Sequence, residues 1–117
     1  METSSKSLNG GQILANALVR QGVDLAFGVP GESFLPLLNG LVDHPEFQFI
    51  TCSQEGGAAY MAEAYGKLTG KPGVLMVTRG PGASNAMVGV HTAYQDSTPM
   101  VLLIGQVGTD MVEREAF

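Results

Sequence analysis

Four short apolar runs, each followed by a glycine-bearing loop, constrain the fold of this chain more than any other feature. They occupy residues 25–29 (LAFGV), 47–52 (FQFITC), 74–78 (VLMVT) and 100–104 (MVLLI). Runs this short and this apolar are strands buried on both faces, the kind that make parallel sheets. The stretches between them have helical spacing. Residues 12–21 group Ile13, Leu14, Ala17 and Leu18 before Gly22 ends the helix, and a helix from about Ser33, its N-cap, groups Phe34, Leu37, Leu38 and Leu41. Residues 55–68, with Ser53 as a cap, direct Ala58, Ala59, Ala62, Tyr65 and Leu68 to the core, and residues 83–95 align Ala83, Met87, Val90 and Tyr94. Strand and helix alternate throughout, which predicts an α/β fold: a doubly wound parallel sheet with helices on both faces, joined by right-handed crossovers. At 117 residues and 44% apolar content the chain makes one small domain with a real core.

Charge and targeting signals narrow the function classes. Six basic against 11 acidic residues give a net charge of -5, and no Lys/Arg cluster supplies the footprint that nucleic acid or an anionic membrane surface needs. The first residues, METSSKSLNGG, are polar, and no run approaches the ~20 apolar residues of a membrane span, so a cytoplasmic location is expected. A single cysteine, Cys52, makes no internal disulfide and, at a strand end, reads as a packing residue. His44, beside Pro45, is expected in solvent and His91 at a packed or interface position; neither belongs to a metal-ligand spacing.

In a doubly wound sheet ligands bind beyond the carboxyl ends of the strands. The segments that matter therefore follow Val29, Cys52, Thr78 and Ile104. Each holds glycine, which suits tight βα turns and also suits backbone that approaches a ligand closely. Gly80-Pro81-Gly82 matches neither the dinucleotide fingerprint nor the phosphate-loop pattern. Glu55 is the one acid at a strand exit followed by a stretch of Gly and Ala. On the residues alone two roles stay open for it: complementing a helix dipole, worth a few tenths to ~1 kcal/mol, or catalysis from the ligand edge of the sheet.

Taken together, FGVPGESFLPLLNGL (residues 27–41), QEGGAAYMAEAYGKLTGKPGV (54–74), TRGPGASNAMVGVHTAYQDSTP (78–99) and GQV (105–107) resemble the N-terminal pyrimidine-binding domain of thiamine-diphosphate enzymes of the acetolactate synthase type. The resemblance runs from Gly11 to Phe117. It implies that Glu55 is the catalytic glutamate that hydrogen-bonds the pyrimidine nitrogen N1′ of thiamine diphosphate, and that the reaction begins on a 2-keto acid such as pyruvate. It also implies that Val29, Pro30 and Gly31 border the aminopyrimidine, that Gly82 and Asn85 wall the same pocket, and that Gln106 and Phe117 line the substrate channel. Two positions depart from the family pattern: Ser53-Gln54 stand where Arg-His is common, and Thr78-Arg79 where Thr-Ser is common.

The family's Mg2+ and diphosphate are held by a second domain on another subunit, and some members bind FAD. Neither that domain nor a middle domain is in this sequence, so the resemblance implies a truncated chain, inactive alone, from a homo-oligomeric parent. A non-catalytic dimerisation module and an α subunit of a two-chain keto-acid decarboxylase are the alternatives.

Overall fold

The computed structural model describes residues 7–116. Four strands, β1 (Leu25–Gly28), β2 (Gln48–Thr51), β3 (Gly73–Val77) and β4 (Met100–Ile104), alternate with helices α1 (Gly10–Arg20), α2 (Leu35–Val42), α3 (Glu55–Thr69) and α4 (Pro81–Asp96). The strands pair in parallel in the order β2-β1-β3-β4. This is the expected doubly wound arrangement. The order also makes β2 and β4 edges, so that only β3 is buried at all five positions, while Gln48, Ile50 and Thr51 of β2 and Val101 and Ile104 of β4 are exposed.

The pleat of β3 divides the core. Val74 and Met76 face α1 and α2, where they meet Ala15, Leu18, Phe34, Leu37 and Leu41. Leu75 and Val77 face α3 and α4, where the buried residues are Ala58, Ala59, Ala62 and Ala86. The second layer is built from small side chains. A Cβ added to Gly89 of α4 would lie 2.3 Å from the Ala59 Cβ of α3 and 2.8 Å from the Ala59 carbonyl carbon. The two helices touch almost backbone to backbone.

Several helix faces differ from the sequence reading, for identifiable reasons. On α4 the stripe that packs inward is Gly82, Ala86, Gly89 and Ala93, while Met87 and Tyr94 are exposed. Hydrophobic spacing follows the largest apolar residues, and here close helix contact needs the smallest. Tyr65 does reach the core, edge-on to Phe27 at 6.4 Å, but Leu68 is exposed. On α1 Ala15 and Leu18 are buried and Ile13 is exposed.

The caps differ as well. Helix α1 is started by a capping box of Asn9 and Gln12. A short 3-10 turn (Glu32–Phe34) precedes α2, so Ser33 is not a cap; its Oγ instead lies 2.6 Å from Thr78 Oγ1. Gln54 rather than Ser53 caps α3, its side-chain oxygen accepting from the Gly56 and Gly57 amides at 2.6 and 3.2 Å.

The far ends of α3 and α4 are joined by a charged cluster. Buried Glu63 accepts from Thr98 Oγ1 at 2.9 Å and pairs with Lys67 Nζ at 2.8 Å, and Lys67 also pairs with Asp96. Asp96 first and Glu63 second hold the Lys67 ammonium charged, pushing its pKa up to about 12.

Candidate functional site

The connections from β1 and β3 leave the sheet toward opposite edges, and the crevice this creates lies between the carboxyl ends of those two strands. A cleft of about 720 Å³ opens there. Glu32 borders it from the β1 exit, Glu55 from the start of α3, Thr78 to Gly82 from the β3 exit, and Gln106 from the β4 exit, with Ala116 beside them. Its volume suits a small organic ligand.

Glu55 reaches this cleft because of its neighbour. Gln54 saturates two first-turn amides of α3, so the Glu55 carboxylate is not consumed in capping. One turn into α4, Asn85 Nδ2 donates to Glu55 Oε1 at 3.4 Å. A Cβ on Gly82 would stand 2.7 Å from Thr78 Cγ2 and 3.5 Å from Glu55 Oε2, so only glycine lets the start of α4 lie this close to Thr78 and to the carboxylate. The arrangement offers a proton acceptor at the mouth of two helices, braced by one amide donor and faced by bare backbone.

Of the residues singled out in the sequence, Glu55, Gly82 and Gln106 line one cleft and Asn85 touches Glu55. Gly31 stands behind the lining, where an added Cβ would meet Thr78 Cβ at 3.1 Å. Val29 and Pro30 lie on the same strand exit outside the lining of this cleft. Phe117 falls outside the described residues. Gln106 is exposed, and its side-chain oxygen accepts from the Val107 amide at 2.9 Å.

Of the lining residues that the sequence does not single out, Glu32 and Arg79 are the charged ones. Arg79 Nη2 donates to Glu32 Oε1 at 3.1 Å across the cleft wall. The partners are 47 residues apart, and only strand pairing between β1 and β3 brings them together. The available signal was the basic residue itself, set in an otherwise neutral glycine loop.

Away from the cleft, His44 is half-buried rather than in solvent, with Nε2 2.8 Å from Asn16 Oδ1. His91 is exposed on α4. Cys52 Sγ packs 3.6 Å from Met61 Sδ. Among the described residues no group of three or more His, Cys, Asp or Glu is placed to hold a metal, and no helix is long and apolar enough to cross a membrane.

Residues 8–117 match the family described as thiamine pyrophosphate enzyme, N-terminal TPP binding domain. The chain belongs to this family. The TPP-binding domain is 43% identical, over its full length, to the mitochondrial acetolactate synthase catalytic subunit of Saccharomyces cerevisiae, of which it covers 17%. It is 41% identical over 96% of its length to the acetolactate synthase large subunit of Lactococcus lactis, covering 20% of that protein. The acetolactate synthase isozyme 3 large subunit of Escherichia coli is 39% identical over 94% of the domain, with 19% of its own length covered. The chain thus spans about a fifth of the length of the curated relatives it matches. It is an N-terminal TPP-binding domain of acetolactate synthase-like proteins.

Proposed function

We propose that this domain holds the aminopyrimidine half of thiamine diphosphate in a carboligase of the acetolactate synthase type, acting on 2-keto acids such as pyruvate, with Glu55 as the group that exchanges a proton with the ring. The observation that carries the reading is the Glu55 carboxylate, relieved of capping by Gln54 and aimed into the cleft at the strand exits.

The residues present fit an aminopyrimidine. The cleft that Glu55 borders has room for a flat ring, Gly80 and Gly82 present backbone to it, and the carboxylate can share a proton with a ring nitrogen. Asn85 fixes which carboxylate oxygen is engaged and leaves Oε2 toward Gly82. When bound, the cofactor supplies the electron sink for decarboxylation and carbon–carbon bond formation. The chain's own part is to place one proton donor and acceptor, to brace it with Asn85, and to present backbone rather than side chains at the ring.

Mg2+ and the diphosphate fall, in this proposal, to a diphosphate-binding domain of another subunit, and FAD, where the whole protein takes one, to regions beyond this domain. Exposed Tyr60, Met61, Met87 and Val88 on α3 and α4 support a partner domain there, in a homo-oligomer. A cytoplasmic setting belongs to the same proposal, supported by the single cysteine.

The test is reconstitution with a separately expressed diphosphate domain, pyruvate, thiamine diphosphate and Mg2+. The mixture should turn over, the 117-residue chain alone should not, and Glu55→Gln should lower the rate about 10²- to 10⁴-fold. Equal turnover by the Glu55→Gln mixture would sink the proposal.

A further inference from the structure

We infer that Thr78 is a positioning residue for Glu55 and acts through both branches of its side chain: the hydroxyl ties the β3 exit to the β1 exit, and the methyl sets how close the start of α4 comes to the carboxylate. The inference deepens the proposed function, and only its cofactor readout rests on that reading. Thr78 follows the last residue of β3 and is half-buried in the lining of the cleft. Its Oγ1 lies 2.6 Å from the Oγ of Ser33, 45 residues away in sequence on the turn after β1. Its Cγ2 stands where α4 begins, 2.7 Å from the point that a Gly82 Cβ would take, and Glu55 Oε2 is 3.5 Å from the same point.

A β-branched side chain has few χ1 wells, so one rotamer of Thr78 sets both contacts at once. On the hydroxyl side, a Cβ added to Gly31 would meet Thr78 Cβ at 3.1 Å, and one added to Gly105 would run into Ser33, so the exits of β1, β3 and β4 close on this pair of hydroxyls. On the methyl side the effect is passed on by a helix turn. Asn85, which donates to Glu55 Oε1 at 3.4 Å, stands one turn along α4 from Gly82. A shift of the helix start relative to Thr78 therefore moves the brace relative to the carboxylate.

Two conservative variants separate the roles, since Thr78→Val keeps the methyl without the hydroxyl and Thr78→Ser keeps the hydroxyl without the methyl. The experiment reads amide hydrogen exchange, the Asn85 side-chain amide resonances and thiamine diphosphate affinity on the 117-residue chain and each variant. Thr78→Val should speed exchange at Phe27, Gly28, Leu75 and Met76, where β1 pairs with β3, about fivefold and leave the Asn85 resonances in place. Ser33→Ala should do the same, and combining the two should add little. Thr78→Ser should leave that exchange unchanged, move the Asn85 resonances and weaken thiamine diphosphate about threefold or more, a loss that shrinks in a Glu55→Gln background because the methyl works through that carboxylate. Unmoved Asn85 resonances in Thr78→Ser, unchanged exchange in Thr78→Val or Ser33→Ala, or both changes in every variant, as a merely structural residue would give, would each overturn the inference. If Thr78→Val fails to fold, Ser33→Ala tests the hydroxyl; if Thr78→Ser fails, Gly82→Ala, which presses a methyl toward Thr78 Cγ2 from the other side, should move the Asn85 resonances in its place. Absence of thiamine diphosphate binding by the unsubstituted chain counts against the proposed function alone, because exchange and the Asn85 resonances are read without cofactor.

Discussion

The two faces of the sheet are packed by different means. Against α1 and α2 the core is made of Leu18, Phe34, Leu37, Leu41 and Met76, large side chains that hold the helices away from the strands. Against α3 and α4 the helices supply alanines, packed on Leu75 and Val77, and Gly73 lets β3 run against Ala62 of α3. Within each pair the helices are close: Gly89 lets α4 rest on Ala59, and a Cβ on Gly11 of α1 would lie 2.1 Å from the Pro36 carbonyl carbon of α2. The faces differ in how the helices sit on the sheet: large side chains fill volume with some tolerance for exchange, whereas alanines and a backbone-close strand fix the distance between helix and sheet. The pair packed through alanines is also the pair whose N-terminal ends carry Glu55 and Asn85. The first face supplies stability by burying apolar area, and the second supplies the alignment of the site.

This contrast can be broken in graded steps. Leu37→Ala, at a 4% exposed position, should cost about 2–5 kcal/mol in urea unfolding while the folded protein keeps its thiamine diphosphate affinity. A parallel loss of affinity under folded conditions would show that the first face also positions the site. Gly89→Ala should cost less, about 1–3 kcal/mol, yet weaken thiamine diphosphate binding, because the new methyl pushes α4 away from Ala59. Unchanged binding in that variant would refute the division of labour.

The smallest effect is expected at the far ends of α3 and α4. The Lys67 pKa is raised from 10.5 to about 12, chiefly by Asp96, so its stabilising contribution is complete below pH 10.5 and is lost as the pH climbs through about 12. Denaturant midpoints should fall over that window, and Lys67→Met should flatten the fall.

The same contrast explains what was legible in the sequence. Strands 25–29, 74–78 and 100–104 lie within a residue or so of β1, β3 and β4, because continuous apolar runs bounded by glycine have few other uses. The face made of large residues was read well through Phe34, Leu37 and Leu41. On the small-residue face Ala58, Ala59 and Ala62 of α3 are legible as core, but the stripe of α4 is not, since Met87 and Tyr94 outweigh Ala86 and Gly89 in any hydrophobic pattern although it is the latter that pack inward. Glu55 was legible from its place at a strand exit and from the family resemblance. Its orientation depends on Gln54, whose capping was not, because Ser53 is the commoner cap type. The Glu32–Arg79 pair lies beyond any local pattern, being created by a strand contact across 47 residues.

That strand contact is thin. β1 and β2 register over four residue pairs and β3 and β4 over five, but β1 meets β3 through Phe27 with Leu75 and Gly28 with Met76 alone. Those two rungs sit at the cleft end of the seam between the halves of the chain, and the Ser33–Thr78 and Glu32–Arg79 contacts lie just beyond them. Breathing of the protein should begin along this seam and take the cleft apart before either half unravels. A molecule that spans the cleft therefore acts as an extra rung: it is bound by the seam and in turn holds the seam closed, and slower hydrogen exchange at Phe27, Gly28, Leu75 and Met76 would be the sign of its arrival.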